Sequence, residues 1–385
     1  MREVAVIGIG QTPIQEEWEK SLRLLAGQAV LEALADGGMQ RADGIFVGNM
    51  IGGSANNQQH LGAYIADWVG LRYTEAVHLE TACSSGAAAF RSALIAVASG
   101  ELDSAIAVGV EKMTDSPGSE VTTALATAAD ADWETDQGLS FVVLNALLMK
   151  RYMYEYGWTH KDFAPFSMNA HANGVHNPNA RFRKAITLET YTKAALIADP
   201  INLMDASPMG DGAAAALLVP ADSVPRDGRY PVIRVAASAA ATDALAVHDR
   251  ADPLWLTAAE KSAKEAYQQA SLTPKDIDLF ELHDAFSIMA CLSLEATGFA
   301  ERGQGPRLAI EGDIRPAGRI PIATRGGLKA RGHPIGATGM YQIVEVVQQL
   351  RGDCGETQVE NARVGMSQNI GGSGSNIITH IFKAG

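Results

Sequence analysis

The nine residues "GHPIGATGM", 332 to 340, have a counterpart in "ACSSGAAAF", 82 to 90. Each stretch places one chemically distinctive residue, His333 or Cys83, before a tight turn of small residues and a helix-like run. Each is followed by a strand-like segment that contains glycine, "AIAVGV" in the first case and "ARVGMSQNIGG" in the second. The repeated order predicts two related halves in which Cys83 and His333 occupy equivalent positions.

Strand-like and helix-like runs alternate outward from both stretches. In the first half "VAVIGIG" and "GIFVG" flank a helix predicted over residues 22–36, and in the second half "PVIRVAAS" and "DIDLFEL" flank one predicted over 257–270. This alternation is typical of α/β folds. The helices that follow Cys83 and His333 begin with small uncharged residues, which suits burial between two sheets. We therefore predict a five-layered α-β-α-β-α sandwich of two related halves.

The alternation is interrupted between the two halves. Residues 119–204 are rich in aromatic, Asn and His residues, as in "SMNAHANGVHNPNARFRK", and are predicted to form an inserted loop domain. The first half is predicted to comprise residues 1–118 plus 205–228, because "DASPMGDGAAAALLVP" has the pattern of a strand that rejoins it. The second half is predicted over residues 229–385.

The composition, charge and cysteine content of the chain exclude several classes of protein. The chain has 385 residues, is 47% hydrophobic and carries a net charge of −13, which argues against nonspecific nucleic-acid binding. Three widely separated cysteines form no disulfide framework or metal-ligand spacing, and the N-terminal "MREVAVIGIGQTP" has no signal-peptide pattern. We expect a cytoplasmic protein with no membrane span, no bound metal and no nucleic-acid partner.

Four short stretches carry the candidate chemistry. Cys83 stands at a predicted helix N-terminus, where the helix dipole would favour the nucleophilic thiolate. "ELHDAFS" places His283 at the end of an apolar strand, "GHPIGATG" places His333 at the second helix start, and "MSQNIGGSGSN" is a glycine-dense turn. Cys291 is expected to be a packing residue in a helix, and Cys354 to lie in a surface loop.

Together these motifs resemble the thiolase superfamily over essentially the full chain. "GHPIGATG" is highly specific for that family, and "HDAF" with the final glycine turn makes the chain most similar to the sterol-carrier-type and archaeal-type thiolases. The resemblance implies the thiolase fold. It also implies coenzyme A (CoA) thioesters as substrates, with no permanently bound cofactor.

The resemblance further implies roles for particular residues. Cys83 would be the acylated nucleophile and His333 the base that takes its proton. The backbone N–H groups of Cys83 and Gly371 would form the oxyanion hole, and His283 would serve the carbon–carbon step. The second catalytic cysteine of many thiolases is replaced here by Asn369, which cannot act as a base.

The inserted domain is the predicted binding region for CoA. Its basic residues could contact phosphates, although a solvated charged face is an equally good interpretation of them. These residues are Lys150, Arg151, Arg181, Arg183 and Lys184.

The predicted function is condensation of two acetyl-CoA to acetoacetyl-CoA, or the reverse thiolysis, through acyl-Cys83. The alternatives are a thiolase for a longer, branched or aromatic 3-oxoacyl-CoA, a thiolase-fold retro-aldolase, and a noncatalytic scaffold. A homodimer or dimer of dimers is expected, with "AIAVGV" as the edge strand at the dimer interface. A small zinc-ribbon/OB-fold protein and 3-hydroxy-3-methylglutaryl-CoA synthase are the other predicted partners.

Overall fold

A computed structural model describes residues 2–224 and 228–385 of the chain. Its strands are β1 Val4–Gln11, β2 Gly44–Gly48, β3 Glu75–Leu79, β4 Ala105–Glu111, β5 Leu196–Ala198, β6 Ile201–Asn202, β7 Gly212–Pro220, β8 Ile233–Thr242, β9 Leu279–Glu281, β10 Val364–Gly371 and β11 Asn376–Ala384. Its α-helices are α1 Leu22–Asp36, α2 Gly52–Ala55, α3 Leu61–Trp68, α4 Ser85–Ser99, α5 Gly118–Ala126, α6 Phe141–Tyr156, α7 Ala164–Gly174, α8 Leu188–Thr192, α9 Thr257–Ala270, α10 Ser287–Ala296, α11 Gly305–Glu311 and α12 Thr338–Arg351. Residue 1 and residues 225–227 of the predicted first half lie outside the described residues.

The strands of both halves join into one long sheet. Over the described residues its order is β3-β2-β4-β7-β1-β8-β11-β10-β9. The halves meet where β1 pairs antiparallel with β8, through Ala5 opposite Arg234 and Val6 opposite Ile233. This junction makes the two predicted sheets continuous at one edge.

The helices form three layers around these strands. Helix α1 packs on the first-half strands β1, β7 and β4, and helix α9 packs on the second-half strands β8 and β11. Between the halves lie α4 and α12, which contact each other, and α12 packs against strands of both halves. The predicted five-layered sandwich is therefore confirmed.

Small residues allow the two central helices to approach closely. A Cβ at Gly86 of α4 would lie 2.9 Å from the carbonyl oxygen of Gly336, just before α12. The segment Ala82–Ser99 is long and apolar enough to cross a membrane by length and composition alone, but half of it is buried inside the protein. Its position between the sheets accounts for that composition, because a core helix is apolar on all sides.

The strand predicted to form the dimer edge occupies a different place. Strand β4, which contains "AIAVGV", lies between β2 and β7 and is buried along its whole length. The prediction of an edge strand is wrong here, because a strand that is apolar on both faces belongs in the interior of a sheet. The exposed first-half edge is β3, which alternates between exposed and half-buried residues at its start.

Candidate active site

Cys83 lies in a strained turn between β3 and α4. The residue before it, Ala82, has a positive φ of 52°, which is unusual for a residue with a Cβ. Two serine hydroxyls hold the turn: Ser84 Oγ donates to the Thr81 carbonyl at 2.6 Å, and Ser85 Oγ donates to the Ala82 carbonyl at 2.6 Å. The "TACSSG" sequence thus supplies the turn that presents the sulfur to a cavity lined in part by Cys83.

The resting state of Cys83 differs from the sequence prediction. Burial and the nearby Glu111 carboxylate raise the pKa of the Cys83 thiol to about 12, although backbone N–H groups of Gly372 and Cys83 favour the thiolate. Helix α4 itself begins two residues later, at Ser85. Desolvation therefore outweighs the helix dipole, and the free site holds a thiol that must lose its proton during the reaction.

His333 is positioned by the glycine-rich segment around it. Gly332 has a φ of 110°, which favours glycine, and the His333 N–H donates to the Pro208 carbonyl at 3.0 Å. The Nδ1 atom lies 2.7 Å from Thr338 Oγ1, whose hydroxyl is 3.4 Å from the Pro334 carbonyl. With the hydroxyl donating to that carbonyl, we assign the imidazole proton to Nδ1, which leaves Nε2 as a proton acceptor.

His283 has the complementary arrangement. It follows β9 by two residues, and its Nδ1 lies 2.9 Å from the side-chain nitrogen of Asn369 on β10. Because that amide nitrogen donates, we assign the imidazole proton of His283 to Nε2. Asn369, predicted only as a neighbour of the site, therefore fixes His283 as a hydrogen-bond donor.

The structure brings Cys83, His283 and His333 together. The Cys83 sulfur and one ring nitrogen of each histidine lie within 4.8 Å of one another, and the centroids of the two imidazole rings are 5.1 Å apart at an interplanar angle of 85°. Burial and the Arg331 cation lower the pKa of His283 to about 3. Burial, His283 and Arg331 lower the pKa of His333 well below its usual value. Both imidazoles are therefore neutral at physiological pH.

The Cys83, His283 and His333 side chains could also bind a transition metal, because thiolate sulfur and imidazole nitrogen are common ligands of such ions. Neutral imidazoles and an ionisable thiol are compatible both with metal binding and with nucleophilic catalysis. The absence of a bound metal from the protein stays a prediction.

The final glycine turn lies beside the sulfur. Gly371 was predicted as an oxyanion donor, whereas the amide that reaches Cys83 is that of the next residue, Gly372, which also lines the cavity. Gly371 ends β10, and a Cβ there would lie 2.5 Å from the Thr81 carbonyl oxygen. Glycine is therefore required at 371 for close approach to the Cys83 turn.

A buried carboxylate that the sequence analysis missed connects the halves at this site. Glu111, at the end of β4, accepts hydrogen bonds from the Asn49 side chain at 2.7 Å, and from the amides of Met50 at 3.0 Å and Ile51 at 3.2 Å. It also accepts one from the Gly336 amide in the second half at 2.9 Å. Burial raises the pKa of Glu111 to about 7. The sequence feature that could have identified Glu111 is its position as an acidic residue at the end of an otherwise apolar strand.

The other two cysteines lie apart from this site. Cys291, in α10, is fully buried and its sulfur lies 3.5 Å from a carboxylate oxygen of Glu295, as expected for a packing residue. Cys354 is 2% exposed, so the surface-loop prediction is wrong for its side chain. Neither residue lines the cavity that contains Cys83.

The cavity has a volume of about 530 Å³ and is largely apolar. Side chains from the segment 119–204 form much of its wall, including Leu125, Val142 and Phe182. Three of the predicted basic residues form ion pairs: Lys150 with Asp199 at 2.6 Å, Arg151 with Glu155 at 2.9 Å and Arg181 with Glu16 at 2.7 Å. Arg183 and Lys184 are exposed directly after Phe182.

Comparison with known proteins gives a consistent result. The family description "Thiolase, N-terminal domain" matches residues 4–222, and "Thiolase C-terminal domain-like" matches residues 239–384. Acetyl-CoA acetyltransferase of Methanothermobacter thermautotrophicus is 47% identical over 384 residues, which cover 99% of this chain and 100% of that one. Sterol carrier protein 2 of Bos taurus is 30% identical over 397 residues, which cover 99% of this chain and 72% of that one.

One solved structure is similar over nearly its whole length. The Ltp2-ChsH2(DUF35) aldolase superposes with a TM-score of 0.84 at 23% identity, covering 99% of this chain and 98% of that chain. At this level of identity the likeness concerns the fold.

Proposed function

Because this chain belongs to the thiolase family and is an acyltransferase, we propose that it condenses two acetyl-CoA molecules to acetoacetyl-CoA through an acyl-Cys83 intermediate. The observation that carries the mechanism is the convergence of Cys83, His283 and His333 within 4.8 Å. The predicted similarity to archaeal and sterol-carrier-type thiolases is confirmed by the relatives described above.

The first half-reaction uses the thiol, one base and the turn amides. As the thioester carbonyl approaches, Nε2 of His333 takes the Cys83 proton and the sulfur attacks the carbonyl carbon. Backbone amides of Cys83 and the Gly371–Gly372 turn stabilise the oxyanion, a role supported by the hydrogen bond between the Gly372 amide and the Cys83 sulfur. His333 then protonates the departing CoA thiolate, which leaves acyl-Cys83 and a neutral imidazole.

The second half-reaction needs a new base and an enolate donor. His333 is neutral again after the first product leaves, so it can remove the α-proton of the second acetyl-CoA. The Nε2–H of His283 stabilises the enolate oxygen, since Asn369 occupies its Nδ1. The enolate carbon attacks acyl-Cys83, and the released thiolate recovers its proton from His333. One imidazole thus serves both half-reactions, in place of a second cysteine.

We also propose CoA binding over the inserted segment 119–204. Phe182, which lines the cavity, is immediately followed by the exposed Arg183 and Lys184. These two cations lie next to the cavity that contains Cys83. They are therefore placed to bind the phosphates of CoA while its pantetheine arm extends through the cavity to the thiol. The three basic residues held in ion pairs are poorer candidates for this contact.

Self-association is a separate proposal. Among the residues that the structure describes, β3 is the edge strand of the first half of the long sheet, and bare edges invite pairing with another chain. We propose a homodimer or dimer of dimers that uses β3 in place of the predicted β4. A stable monomer at micromolar concentration in analytical ultracentrifugation would contradict it.

The proposed location is the cytoplasm, as in the sequence prediction. A zinc-ribbon/OB-fold partner is also proposed, because the similar aldolase has a second component, ChsH2(DUF35). The three scattered cysteines of this chain cannot form a zinc ribbon, so such a partner would be a separate protein. Copurification with the product of a neighbouring gene tests this partner. Association with 3-hydroxy-3-methylglutaryl-CoA synthase stays a prediction.

The direct test of the function is acyl loading. The enzyme is incubated with acetyl-CoA and a panel of longer or aromatic acyl-CoAs, and intact mass spectrometry with peptide mapping identifies the adduct. We expect acetylation of Cys83, followed by acetoacetyl-CoA on addition of more acetyl-CoA. Acylation only by longer chains would favour the longer-chain thiolase instead, and no adduct on Cys83 would refute the proposal.

A further inference from the structure

The cavity has a second polar region that the proposed chemistry does not use. His171, on α7, and Lys329, in the turn Gly327–Arg331, both line the cavity, and each is almost completely buried. Helix α7 packs directly against that turn, and the Lys329 charge acts on the His171 imidazole. The two side chains therefore border the same cavity from two elements that pack against each other.

The protonation of His171 follows from its partner. Its Nδ1 lies 3.2 Å from the Lys184 carbonyl oxygen, which can only accept a hydrogen bond. Nδ1 must therefore carry the proton, and burial lowers the pKa of the imidazole, which keeps the ring neutral. In a neutral ring with a protonated Nδ1, Nε2 carries a lone pair and can only accept.

Lys329 supplies the opposite capability. Burial lowers the pKa of Lys329 to about 8, and the nearby Asp284 and Asp205 carboxylates limit that fall, so the side chain is mostly an ammonium at neutral pH. This ammonium donates to the Asp205 carbonyl. An ammonium has three protons, so two remain after the bond to Asp205. A fixed acceptor and a cationic donor thus both line an otherwise largely apolar cavity.

The helix that carries His171 is held rigidly in place. Three asparagines on and just after α7 donate to carbonyls of the segment that precedes Lys329: Asn169 to Ile322 at 3.0 Å, Asn173 to Ala323 at 3.0 Å and Asn177 to Arg325 at 2.8 Å. Their spacing of four residues places them on one side of the chain, toward that segment. This explains the Asn- and His-rich sequence "SMNAHANGVHNPN" as a scaffold that fixes His171 relative to Lys329.

The acceptor of His171 and the cationic donor of Lys329 favour one chemical class of ligand. A carboxylate would suit Lys329 but would face the lone pair of His171, and an amine would be repelled by the ammonium. An amide satisfies both, because its N–H donates and its carbonyl accepts. The CoA substrate of the proposed function carries two amides in its pantetheine arm, which must pass through this cavity to reach Cys83.

We propose that His171 and Lys329 form an amide-binding subsite for the pantetheine arm, with Nε2 of His171 accepting from an amide N–H and Lys329 donating to an amide carbonyl. This inference rests on the proposed function. It assigns the two residues to substrate positioning, separate from the acylation chemistry of Cys83 and His333.

Two variants of His171 isolate the acceptor. His171→Asn keeps an N–H group near the Lys184 carbonyl but removes the atom that faces the cavity, whereas His171→Gln places a carbonyl oxygen near the position of Nε2. The rate of Cys83 acylation is measured by mass spectrometry with three acetyl donors. These are acetyl-CoA, S-acetyl-N-acetylcysteamine, which has one amide, and S-ethyl thioacetate, which has none.

The expected result is a selective loss. His171→Asn should lower the second-order rate constant for acetyl-CoA by on the order of 10- to 100-fold, while S-ethyl thioacetate reacts at the wild-type rate. His171→Gln should recover part of the loss. A loss shared by S-acetyl-N-acetylcysteamine assigns the bond to the amide nearest the thioester, and a loss restricted to acetyl-CoA assigns it to the more distant one.

Two results would overturn the subsite. One is equal slowing with all three donors, which a purely structural role predicts, and the other is an unchanged rate with acetyl-CoA. Failure of the proposed function gives a different outcome, because wild-type enzyme would then form no acyl-Cys83 with any of the donors.

Discussion

Replacement of His283 by alanine should separate the two half-reactions. Asn369 binds Nδ1 of His283 at 2.9 Å, so its Nε2–H is the single ring proton available to an enolate oxygen. Acylation of Cys83 relies on His333 and the turn amides and should stay within a few-fold of wild type. Removal of one preorganised oxyanion donor typically costs about 10²–10³ in rate, or about 3–4 kcal/mol. Condensation should fall by that amount.

The assay measures each half-reaction by itself. Mass spectrometry follows acyl-Cys83 formation, and exchange of the acetyl-CoA α-protons into deuterium oxide follows enolate formation. His283→Gln is the matched control, since its amide can place an N–H near the lost Nε2 and should recover part of the exchange rate. Equal losses in both half-reactions, or normal exchange in His283→Ala, would refute the assignment of His283 as the enolate donor.

Three further predictions follow from the same geometry. Cys83→Ser should abolish acylation, and iodoacetamide labelling that inactivates the enzyme at Cys291 or Cys354 with Cys83 intact would argue against that nucleophile. His333→Ala should slow both half-reactions by on the order of 10² or more, measured by the two assays above. Burial and the nearby Arg91 cation lower the pKa of His380 to about 3. Below pH 6.5 the unfolded chain takes up a proton that native His380 does not, so this residue lowers the free energy of unfolding by up to about 1.4 kcal/mol per pH unit down to pH 3. His380→Leu should reduce that acid-dependent loss in urea unfolding, and an unchanged slope would contradict it.

Local patterns in the sequence predicted much of the fold. The helices expected over 22–36 and 257–270 have those bounds in the structure, because hydrophobic periodicity is a local property. The position of "AIAVGV" within the sheet was mispredicted, since strand order depends on pairing with β7, which lies about a hundred residues later along the chain. Its apolar character on both faces was the signal for an interior strand.

The candidate site was predictable in its reactive residues but not in their states. Motifs located Cys83, His283 and His333, whereas the high pKa of the thiol depends on burial and on Glu111, which come from the tertiary fold. The contact between Asn369 and His283 likewise joins residues 86 positions apart. His171 and Lys329 reach the cavity through packing of α7, which no local pattern encodes.

The Glu111 carboxylate has a consequence for how the molecule opens. Its bonds to Met50 and Ile51 in one half and to Gly336 in the other span the boundary between the unit that carries the nucleophile and the unit that carries the imidazoles. Separation of the two units would break the Gly336 bond and expose to water a buried acid whose other partners stay in the first half, so partial opening here carries a cost. In native-state hydrogen exchange the Gly336 amide should therefore exchange through global unfolding, at the same rate as the slowest core amides. Loss of catalysis on denaturation should then coincide with global unfolding and not precede it.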